Sequence, residues 1–564
     1  MTGGASQRDP PWSVLNPLAA WRAEFRGYRR ANFSQDLLAG LTVGIVALPL
    51  ALAFGVTSGA GAAAGLITAI IAGLIASAFG GSRFQITGPT GAMTVVLLPI
   101  IAQYGLSQVF VIGLMAGVLL VLASLGRLGR AVTLIPWPVI TGFTNGIALI
   151  IALQQVPGML GLAAPRGEKI IPTTAAVLHT FSLAPHWAPL LLTLGTALIM
   201  LLWPRVTRRV PGGIVALLAM TGVSLLIGTE VPRIGVIPGG LPFPRLPDLN
   251  VTALPSLFSA AVAIAVLAGL ESLLSAVVAD GMTRGTRHNP DRELFGQGLA
   301  NIIVPLFGGI PCTGAIARTA VGVRSGAQTR LTGVIHAVFL LLVVLLLGKY
   351  AARVPLSVLA GILLVTAYRM FEGHAVRALA HSTRGDFLTM LATTAVTVVF
   401  DLILAIEVGL AIAGVLFIQR MIRSLNLEAM EIGSAPDGAD LALLRSRVLA
   451  YRVEGPLFFG VAGRFLENLT AQQDVDVVIL RLRRVHSLDA SGAQALEGIH
   501  RELAARNITL LLSGLQEQPE RLLERMELLP TLTTQGHHLF GTTDAAIAHA
   551  WQHVQRQHVM EAAS

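Results

Sequence analysis

The sequence has very little charge and almost no cysteine. Only 13% of its 564 residues are charged and 54% are hydrophobic, whereas a soluble globular protein carries about 25% charged residues. That deficit excludes an ordinary water-soluble chain and indicates a membrane protein. Cys312 is the only cysteine, so an intrachain disulfide is excluded and a cysteine-based metal site is not expected.

Motifs of catalysis and of nucleotide binding are also missing. The chain contains no Walker A, GxSxG or HExxH motif, and its 13 histidines are scattered without a Cys/His cluster. We therefore expect no enzymatic activity, no cofactor, no bound metal ion and no ATP-driven pumping. The net charge of +9 fits basic cytoplasmic loops better than nucleic-acid binding.

Long apolar runs are abundant. Between residues 37 and 423 they recur at lengths that can cross about 30 Å of hydrocarbon. We predict about fourteen spans, of which the third and the tenth are too short to cross alone. The predicted spans are 37–56, 60–79, 89–104, 107–126, 130–156, 187–203, 211–228, 256–281, 292–308, 313–323, 329–348, 355–371, 385–401 and 403–422.

Arginine positions predict the orientation of these spans. Basic residues lie before the first span and after the even-numbered spans, as at Arg127, Arg205 and Arg420, whereas segments 57–59 and 105–106 have none. Because cytoplasmic loops are enriched in Lys and Arg, we expect both termini in the cytoplasm and the protein in the inner (plasma) membrane.

The composition changes near residue 424, where the apolar runs stop. The tail alternates predicted strands, at 448–453, 475–481 and 508–513, with a helix at 491–506. This βαβ-type pattern is large enough to fold alone. We therefore divide the chain into a cytoplasmic N-terminal segment, a transmembrane transport domain, a linker, a soluble α/β domain and a flexible tail, at 1–36, 37–423, 424–440, 441–554 and 555–564.

Two similar segments lie about 230 residues apart. Phe-Gly-Gly at 79–81 precedes Thr-Gly-Pro-Thr-Gly-Ala at 87–92, and Phe-Gly-Gly at 307–309 precedes Pro-Cys-Thr-Gly-Ala at 311–315. An odd number of spans separates the copies, so their orientations are opposite. Inverted repeats of this kind bring interrupted helices to one midplane site, where two positive helix N-termini favour an anion. The alternative is chance recurrence among 59 glycines.

Glu271 and Arg318 are the ionisable residues of the predicted spans to which we assign candidate functions, because charge inside a membrane is costly and usually functional. Glu271, in the eighth span, has no charged neighbour within eight residues on its own helix, and it is a candidate proton carrier. The alternative is a structural carboxylate held by hydroxyl or N–H groups. Arg318 follows the start of the tenth span and could pair with the anion or with Glu271; the alternative is a side chain that snorkels to the membrane surface.

Five stretches resemble the sulfate permease (SulP) family of anion transporters. They are segments 47–55, 87–92, 289–301 and 309–319, together with the tail, which resembles a STAS domain (the fold of sulfate transporters and anti-sigma factor antagonists). The resemblance implies a polytopic α-helical membrane protein with a 7+7 inverted repeat. In it, a core domain containing two short broken helices moves against a gate domain as an elevator, and the protein forms a homodimer.

The resemblance also implies where the anion binds. The site would lie between the N-termini of the third and tenth spans, next to the first and eighth. Carried onto this sequence, it comprises Phe54, Thr90, Gly91, Ala92, Ala315, Ile316 and Ala317, with Glu271 close by. Cys312 precedes the tenth span, so we expect its labelling by a maleimide to slow when the anion is bound.

Substrate and coupling stay open at this point. Some bicarbonate-transporting members look sodium-coupled and have Asp where this chain has Glu271, so the resemblance favours proton-coupled symport or anion exchange. Ala315 and Ala317 replace hydroxyl-bearing residues of some members, which leaves dicarboxylates such as fumarate, bicarbonate, sulfate and chloride as candidates. Alternatives are a sodium-coupled bicarbonate transporter, a nucleobase-type permease and a membrane-anchored signalling protein.

The tail carries one further motif. The segment from Leu488 to Gly492 resembles the DxSG loop of STAS domains, in which Asp489 would cap the following helix. The serine matching Ser491 is phosphorylated in anti-sigma factor antagonists. A structural cap is favoured here, and phosphorylation of Ser491 is the regulatory alternative.

Overall fold

The computed structural model of the protein describes residues 21–563 apart from several short segments. Those outside the description are 23, 131–134, 163–169, 184–185, 208–209, 229, 236–238, 249–250, 284–286, 401, 424–425, 434–438, 456, 458–474 and 534–537. The chain divides into two compact units, Met1–Ala413 and Gly414–Ser564, called here the membrane unit and the C-terminal unit. The boundary falls inside the helix Leu402–Arg423, which is described with the membrane unit.

Helices make up nearly all of the described membrane unit. In chain order they are Arg30–Thr57 (α1), Ala62–Phe79 (α2), Gly91–Tyr104 (α3), Leu106–Leu125 (α4), Trp137–Gln154 (α5), Val156–Leu160 (α6), Ile170–Leu183 (α7), Trp187–Val206 (α8), Gly212–Leu226 (α9), Leu254–Met282 (α10), Pro290–Ile303 (α11), Ile316–Arg324 (α12), Leu331–Ala351 (α13), Leu356–Met370 (α14), Gly373–Ala380 (α15), Arg384–Val399 (α16) and Leu402–Arg423 (α17). Two-residue strands, Thr87–Gly88 (β1) and Thr313–Gly314 (β2), precede α3 and α12.

Each of the fourteen predicted spans corresponds to one of these helices. Within the described residues, eight helices are long and apolar enough to cross a membrane by themselves. The third and tenth spans are helices α3 and α12, with 14 and 9 residues, so both are short as expected. Helices α6, α7 and α15 were not predicted, because they are too short or too polar to stand out as apolar runs.

The helices pack as two groups. One, the core group, contains α1–α4 and α10–α13; the other, the gate group, contains α5, α8, α9, α14 and α16. Small residues allow close packing inside the core group: a Cβ at Gly117 of α4 would lie 2.7 Å from the Gly298 carbonyl oxygen of α11. Exposed leucines such as Leu198, Leu226 and Leu346 form an apolar outer surface, which suits lipid.

The described part of the C-terminal unit is a five-stranded sheet covered by helices on both faces. Its strands are Asn426–Met430 (β3), Val448–Glu454 (β4), Val477–Arg484 (β5), Thr509–Ser513 (β6) and Leu539–Phe540 (β7), and its helices are Leu441–Arg447 (α18), Ala490–Ala505 (α19), Glu517–Arg525 (α20), Leu528–Thr533 (α21) and Thr543–Ala563 (α22). The strand order is β3-β4-β5-β6-β7, with β3 antiparallel to β4 and the other pairs parallel. Apolar residues of α19 pack on one face, and those of α22 on the other.

Two predicted boundaries of this unit are wrong. Strand β3 lies inside the predicted linker 424–440, because its pairing with β4 is a long-range contact that composition does not reveal. Helix α22 continues through 555–563, where a flexible tail was predicted. Its buried face, with Ala546, Ala550 and Val554 at 0–1% exposure, packs on the sheet and supports the helix.

Candidate functional site

The two copies of the internal repeat meet in space. Strand β1 pairs with β2 in antiparallel register, Thr87 opposite Gly314 and Gly88 opposite Thr313. Each strand leads directly into a short helix, α3 or α12. Opposite chain directions at this pair are what an inverted repeat requires, and the pairing sets the two segments that lead into the helices side by side.

The two helix N-termini are capped differently. Thr90 is the N-cap of α3, and its Oγ1 accepts a hydrogen bond from the Met93 N–H at 3.3 Å. Ala315 is the N-cap of α12 and has no side-chain acceptor; its own N–H donates to the Ile86 carbonyl at 2.8 Å. The first N–H groups of a helix have no acceptor within the helix, and they carry its positive dipole end. Both starts therefore offer donors to a negative group.

Helix α10 contacts both copies of the repeat through two consecutive residues. The Thr90 hydroxyl donates to Glu271 Oε2 at 2.9 Å. The Gly314 N–H donates to Ser272 Oγ at 2.9 Å, and Ser272 Oγ lies 3.1 Å from the Thr313 hydroxyl. Glu271 is therefore joined to the start of α3, and its neighbour is joined to the strand before α12.

Arg318 crosses from α12 to the turn before α3. Its side chain is buried, at 1% exposure, and its Nη2 donates to the Pro89 carbonyl. It does not snorkel to a surface. A Cβ at Gly88 would lie 2.7 Å from Arg318 Nη1, so a larger residue there would displace the guanidinium. The guanidinium places a positive charge behind the strand pair.

The other predicted site residues surround the start of α3. Phe54 of α1 is 4% exposed, and a Cβ at Gly91 would lie 3.4 Å from Phe54 Cε1 and 2.2 Å from Ile151 Cδ1 of α5. The start of α3 thus lies where the core group meets the gate group. Ala92 and Ala315 are buried at 1% and 6% exposure, Ile316 is half-buried and Ala317 is exposed.

A buried carboxylate of α11 holds the segment that leads into β1. Glu293 of α11 is 1% exposed. Its Oε2 accepts from the N–H groups of Gly81 and Ser82 at 2.8 and 2.9 Å, and its Oε1 accepts from the side-chain amides of Gln85 and Gln297 at 2.8 and 2.9 Å. These four hydrogen bonds give Glu293 a structural role.

The thiol of Cys312 is not accessible to a maleimide, although the labelling experiment expected from the sequence requires that. The residue is 0% exposed, its N–H donates to Asn301 Oδ1, and its carbonyl accepts from Asn301 Nδ2, both at 2.9 Å. The expectation that maleimide labelling of this thiol reports on the anion is therefore wrong, because the segment before β2 is packed inside the core group.

The C-terminal unit has the predicted cap. Asp489 is the N-cap of α19, and its Oδ1 accepts from the Gly492 N–H at 2.7 Å. Ser491 is exposed at the second position of that helix. The capping role of Asp489 is confirmed, and the hydroxyl of Ser491 is open to solvent.

Three histidines of the C-terminal unit form a cluster that the sequence analysis missed. His538, His549 and His553 each offer one ring nitrogen, and these three atoms lie within 4.8 Å of one another. The expectation that the histidines are scattered is wrong for these three, because β7 and α22 pack together. The i, i+4 spacing of His549 and His553 was the one signal available.

Comparison with known proteins assigns both units. The sulfate permease family matches residues 33–393, and the STAS domain family matches residues 442–546. A putative sulfate transporter, YvdB of Bacillus subtilis, is 40% identical over 529 residues, which cover 92% of this chain and 98% of the relative.

Solved structures agree with these matches. The transmembrane domain of the bicarbonate transporter BicA from a cyanobacterium is 37% identical, covers 67% of this chain and 98% of that chain, and superposes with a TM-score of 0.62. The murine anion transporter Slc26a9 in its inward-facing state covers 98% of this chain with a TM-score of 0.83 at 16% identity, so it supports the fold alone.

Proposed function

The chain belongs to the sulfate permease family, and on that premise we propose that it is a secondary transporter that binds small anions between the N-termini of α3 and α12. It is a multi-pass membrane transporter with a C-terminal STAS domain, not an enzyme. The observation that supports the proposal is the β1–β2 pairing, which sets the segments leading into α3 and α12 side by side, with Glu271 hydrogen-bonded to the N-cap of α3.

The anion would be held mainly by backbone donors. The N–H groups of Gly91, Ala92, Ile316 and Ala317 belong to the first turns of α3 and α12, where they lack helical acceptors. Ala315 and Ala317 contribute no hydroxyl, so oxygens of the anion would depend on these N–H groups and on Thr90. Buried Arg318 adds positive potential from behind the strand pair.

Transport would proceed as an elevator, in which the core group carries the site past the gate group. The two helix groups each pack mainly within themselves. Phe54 and the start of α3 belong to the core group, and Ile151 of the gate group packs directly on Gly91. A sliding surface at this place would expose the site alternately to the two sides of the membrane.

Glu271 would couple proton movement to anion movement. Its carboxylate accepts a hydrogen bond from the hydroxyl of Thr90, the N-cap of α3. A protonated carboxyl could donate there instead, and its lost charge would favour a bound anion nearby. Symport of a proton with the anion would therefore lower the electrostatic cost of moving both through the membrane unit.

Sulfate and bicarbonate are the first substrates to test, because relatives carry those names; fumarate and chloride follow.

We also propose that the protein lies in the plasma membrane with both termini in the cytoplasm, that it forms a homodimer, and that phosphorylation of exposed Ser491 regulates it. Sodium-coupled transport of bicarbonate and anion exchange are the competing mechanisms.

Flux in proteoliposomes tests the function. Uptake of sulfate, bicarbonate, fumarate, chloride and uracil is measured under an inward proton gradient, under an inward sodium gradient and under neither. We expect anion uptake driven by the proton gradient, and Glu271→Gln should remove that dependence. Glu407→Gln replaces an exposed carboxylate of α17. It is the matched control and should behave as wild type.

Each other outcome contradicts a named part of the proposal. An unchanged pH response in Glu271→Gln would refute the proton role. Sodium-driven bicarbonate uptake would favour the sodium-coupled mechanism, and uptake of uracil alone would favour a nucleobase permease. No flux of any anion under any gradient would favour the signalling protein.

A cysteine at the proposed site tests its position. In a Cys312→Ala background, Ala317→Cys places a thiol at an exposed position of the first turn of α12. The transported anion should slow maleimide labelling of this thiol and leave Ser382→Cys, an exposed loop control, unaffected. Equal labelling with and without the anion would place the site elsewhere.

A further inference from the structure

The histidine cluster joins the last strand and the last helix of the C-terminal unit. His538 immediately precedes β7, and His549 and His553 lie one turn apart on α22. The ring centroid of His538 lies 6.1 Å from that of His549 and 5.9 Å from that of His553. The ring centroids of His549 and His553 are 5.0 Å apart. Nothing in the anion-transport proposal uses these side chains.

The distances suit a metal ion. Nε2 of His549 and Nε2 of His553 are 3.2 Å apart. Two nitrogens that bind zinc tetrahedrally at about 2.0–2.1 Å lie about 3.3–3.4 Å from each other. The third ring nitrogen, from His538, is within 4.8 Å of both, so a small side-chain movement completes a three-histidine set.

His538 supplies a second, independent observation. The residue is 3% exposed, and its Nε2 is buried with no hydrogen-bond partner among the described residues. A buried polar atom without a partner costs about 1–3 kcal/mol, and such atoms are rare in native proteins. A metal ion bound by this nitrogen would supply the missing partner.

We propose that His538, His549 and His553 form a binding site for a divalent transition-metal ion, with Zn²⁺ as the occupant that three imidazoles favour. Imidazole ligands suit zinc, copper and nickel rather than magnesium or calcium. The fourth position, open to water, completes a tetrahedron. The bound ion fixes α22 to β7, so it stabilises the end of the STAS domain that α22 covers.

A hydrogen-bonded histidine stack is the competing explanation. In it, one of the two Nε2 atoms of His549 and His553 carries a proton and donates to the other across the 3.2 Å separation. The stack predicts no specific metal affinity. It also leaves His538 Nε2 without a partner, and so explains less of the cluster.

Metal titration of the full-length protein separates the two explanations. The protein is purified in detergent with a tag free of histidine, stripped with a chelator, and titrated with Zn²⁺ against a chromophoric competitor; Co²⁺ absorption reports the coordination geometry. We expect one ion per chain and a tetrahedral Co²⁺ spectrum. His549→Gln and His553→Gln should each weaken binding by about 100-fold.

The same helix offers a matched control. His558 of α22 is exposed and lies outside the cluster, so His558→Gln should bind zinc as wild type does. Hydrogen exchange of α22 in the wild-type protein gives a readout that needs no variant, since zinc should slow it. Wild-type binding no tighter than that of His553→Gln, or exchange of α22 unchanged by zinc, would overturn the proposal.

Discussion

Replacement of Glu293 should cost the membrane unit more stability than Glu271→Gln or Glu407→Gln. Its two oxygens accept four hydrogen bonds, two from backbone N–H groups of 81–82 and two from the amides of Gln85 and Gln297. Through them α11 holds the segment that leads into β1. The expected cost depends on which of these donors can find another acceptor.

Glu293→Leu keeps the approximate size of the side chain and removes both acceptors. The N–H groups of Gly81 and Ser82 cannot turn away, and each orphaned buried donor costs about 1–3 kcal/mol. Together with the stranded amides, the loss is about 3–6 kcal/mol.

Glu293→Gln should be milder. One oxygen remains for the backbone donors, and the new NH₂ group faces Gln85 and Gln297, whose Oε1 atoms are buried without partners among the described residues. Both amides can rotate and accept from it. The loss is then mainly the charge assistance of the bonds, about 1–3 kcal/mol.

Equilibrium unfolding in mixed detergent and SDS micelles measures this order. We expect Glu293→Leu to be less stable than Glu293→Gln, and Glu407→Gln, with its exposed side chain, to match wild type. A free energy of unfolding of Glu293→Leu within about 0.5 kcal/mol of the wild-type value would refute the structural role of Glu293. The amide-rotation argument fails if Glu293→Gln is the less stable of the two.

Three further predictions concern both units. Gly314→Ala should abolish transport in the flux assay, because its Cβ would lie 2.1 Å from Gln85 Nε2, whereas Gly414→Ala, with nothing within 4 Å, should not. Asp489→Ala removes a helix cap and should cost about 1 kcal/mol, seen as faster hydrogen exchange in α19. Without metal, the hydrogen-exchange protection of α22 should fall as the pH drops from 7 towards 4. The reason is that His538 in the unfolded chain takes up a proton near pH 6.5, whereas in the folded unit its pKa is about 4, so protons favour the unfolded state. His538→Asn should flatten that pH dependence.

The spans were predictable because each is a local property of the chain. Hydropathy over one segment decides whether it can cross the membrane, and all fourteen predicted segments are helices. The boundaries were less secure: the fifth span was predicted from residue 130, but α5 begins at Trp137, after Pro136 at its N-cap. Proline position, rather than apolar length, fixes that start.

Contacts between distant segments were the part that sequence could not predict. Strand β3 is stabilised by pairing with β4, and its five residues alone read as linker. His538 meets His549 and His553 only because β7 and α22 pack together. Arg318 was read as a partner of an anion or of Glu271, and its nearest acceptor is the Pro89 carbonyl of the other repeat copy.

The internal repeat has one property that the sequence predicts, its inverted orientation, and contacts that the sequence does not predict. Opposite orientation of the two copies followed from the number of spans between them, and the antiparallel β1–β2 pair has that orientation. The sequence did not reveal that α10 is hydrogen-bonded to both copies of the repeat. Glu271 accepts from Thr90 of the first copy, and Ser272 accepts from the Gly314 N–H of the second. Moving α10 relative to either copy would break one of these hydrogen bonds. Glu271 and the starts of α3 and α12 should therefore move together, as an elevator requires and as a mechanism that separates α3 from α12 would not allow.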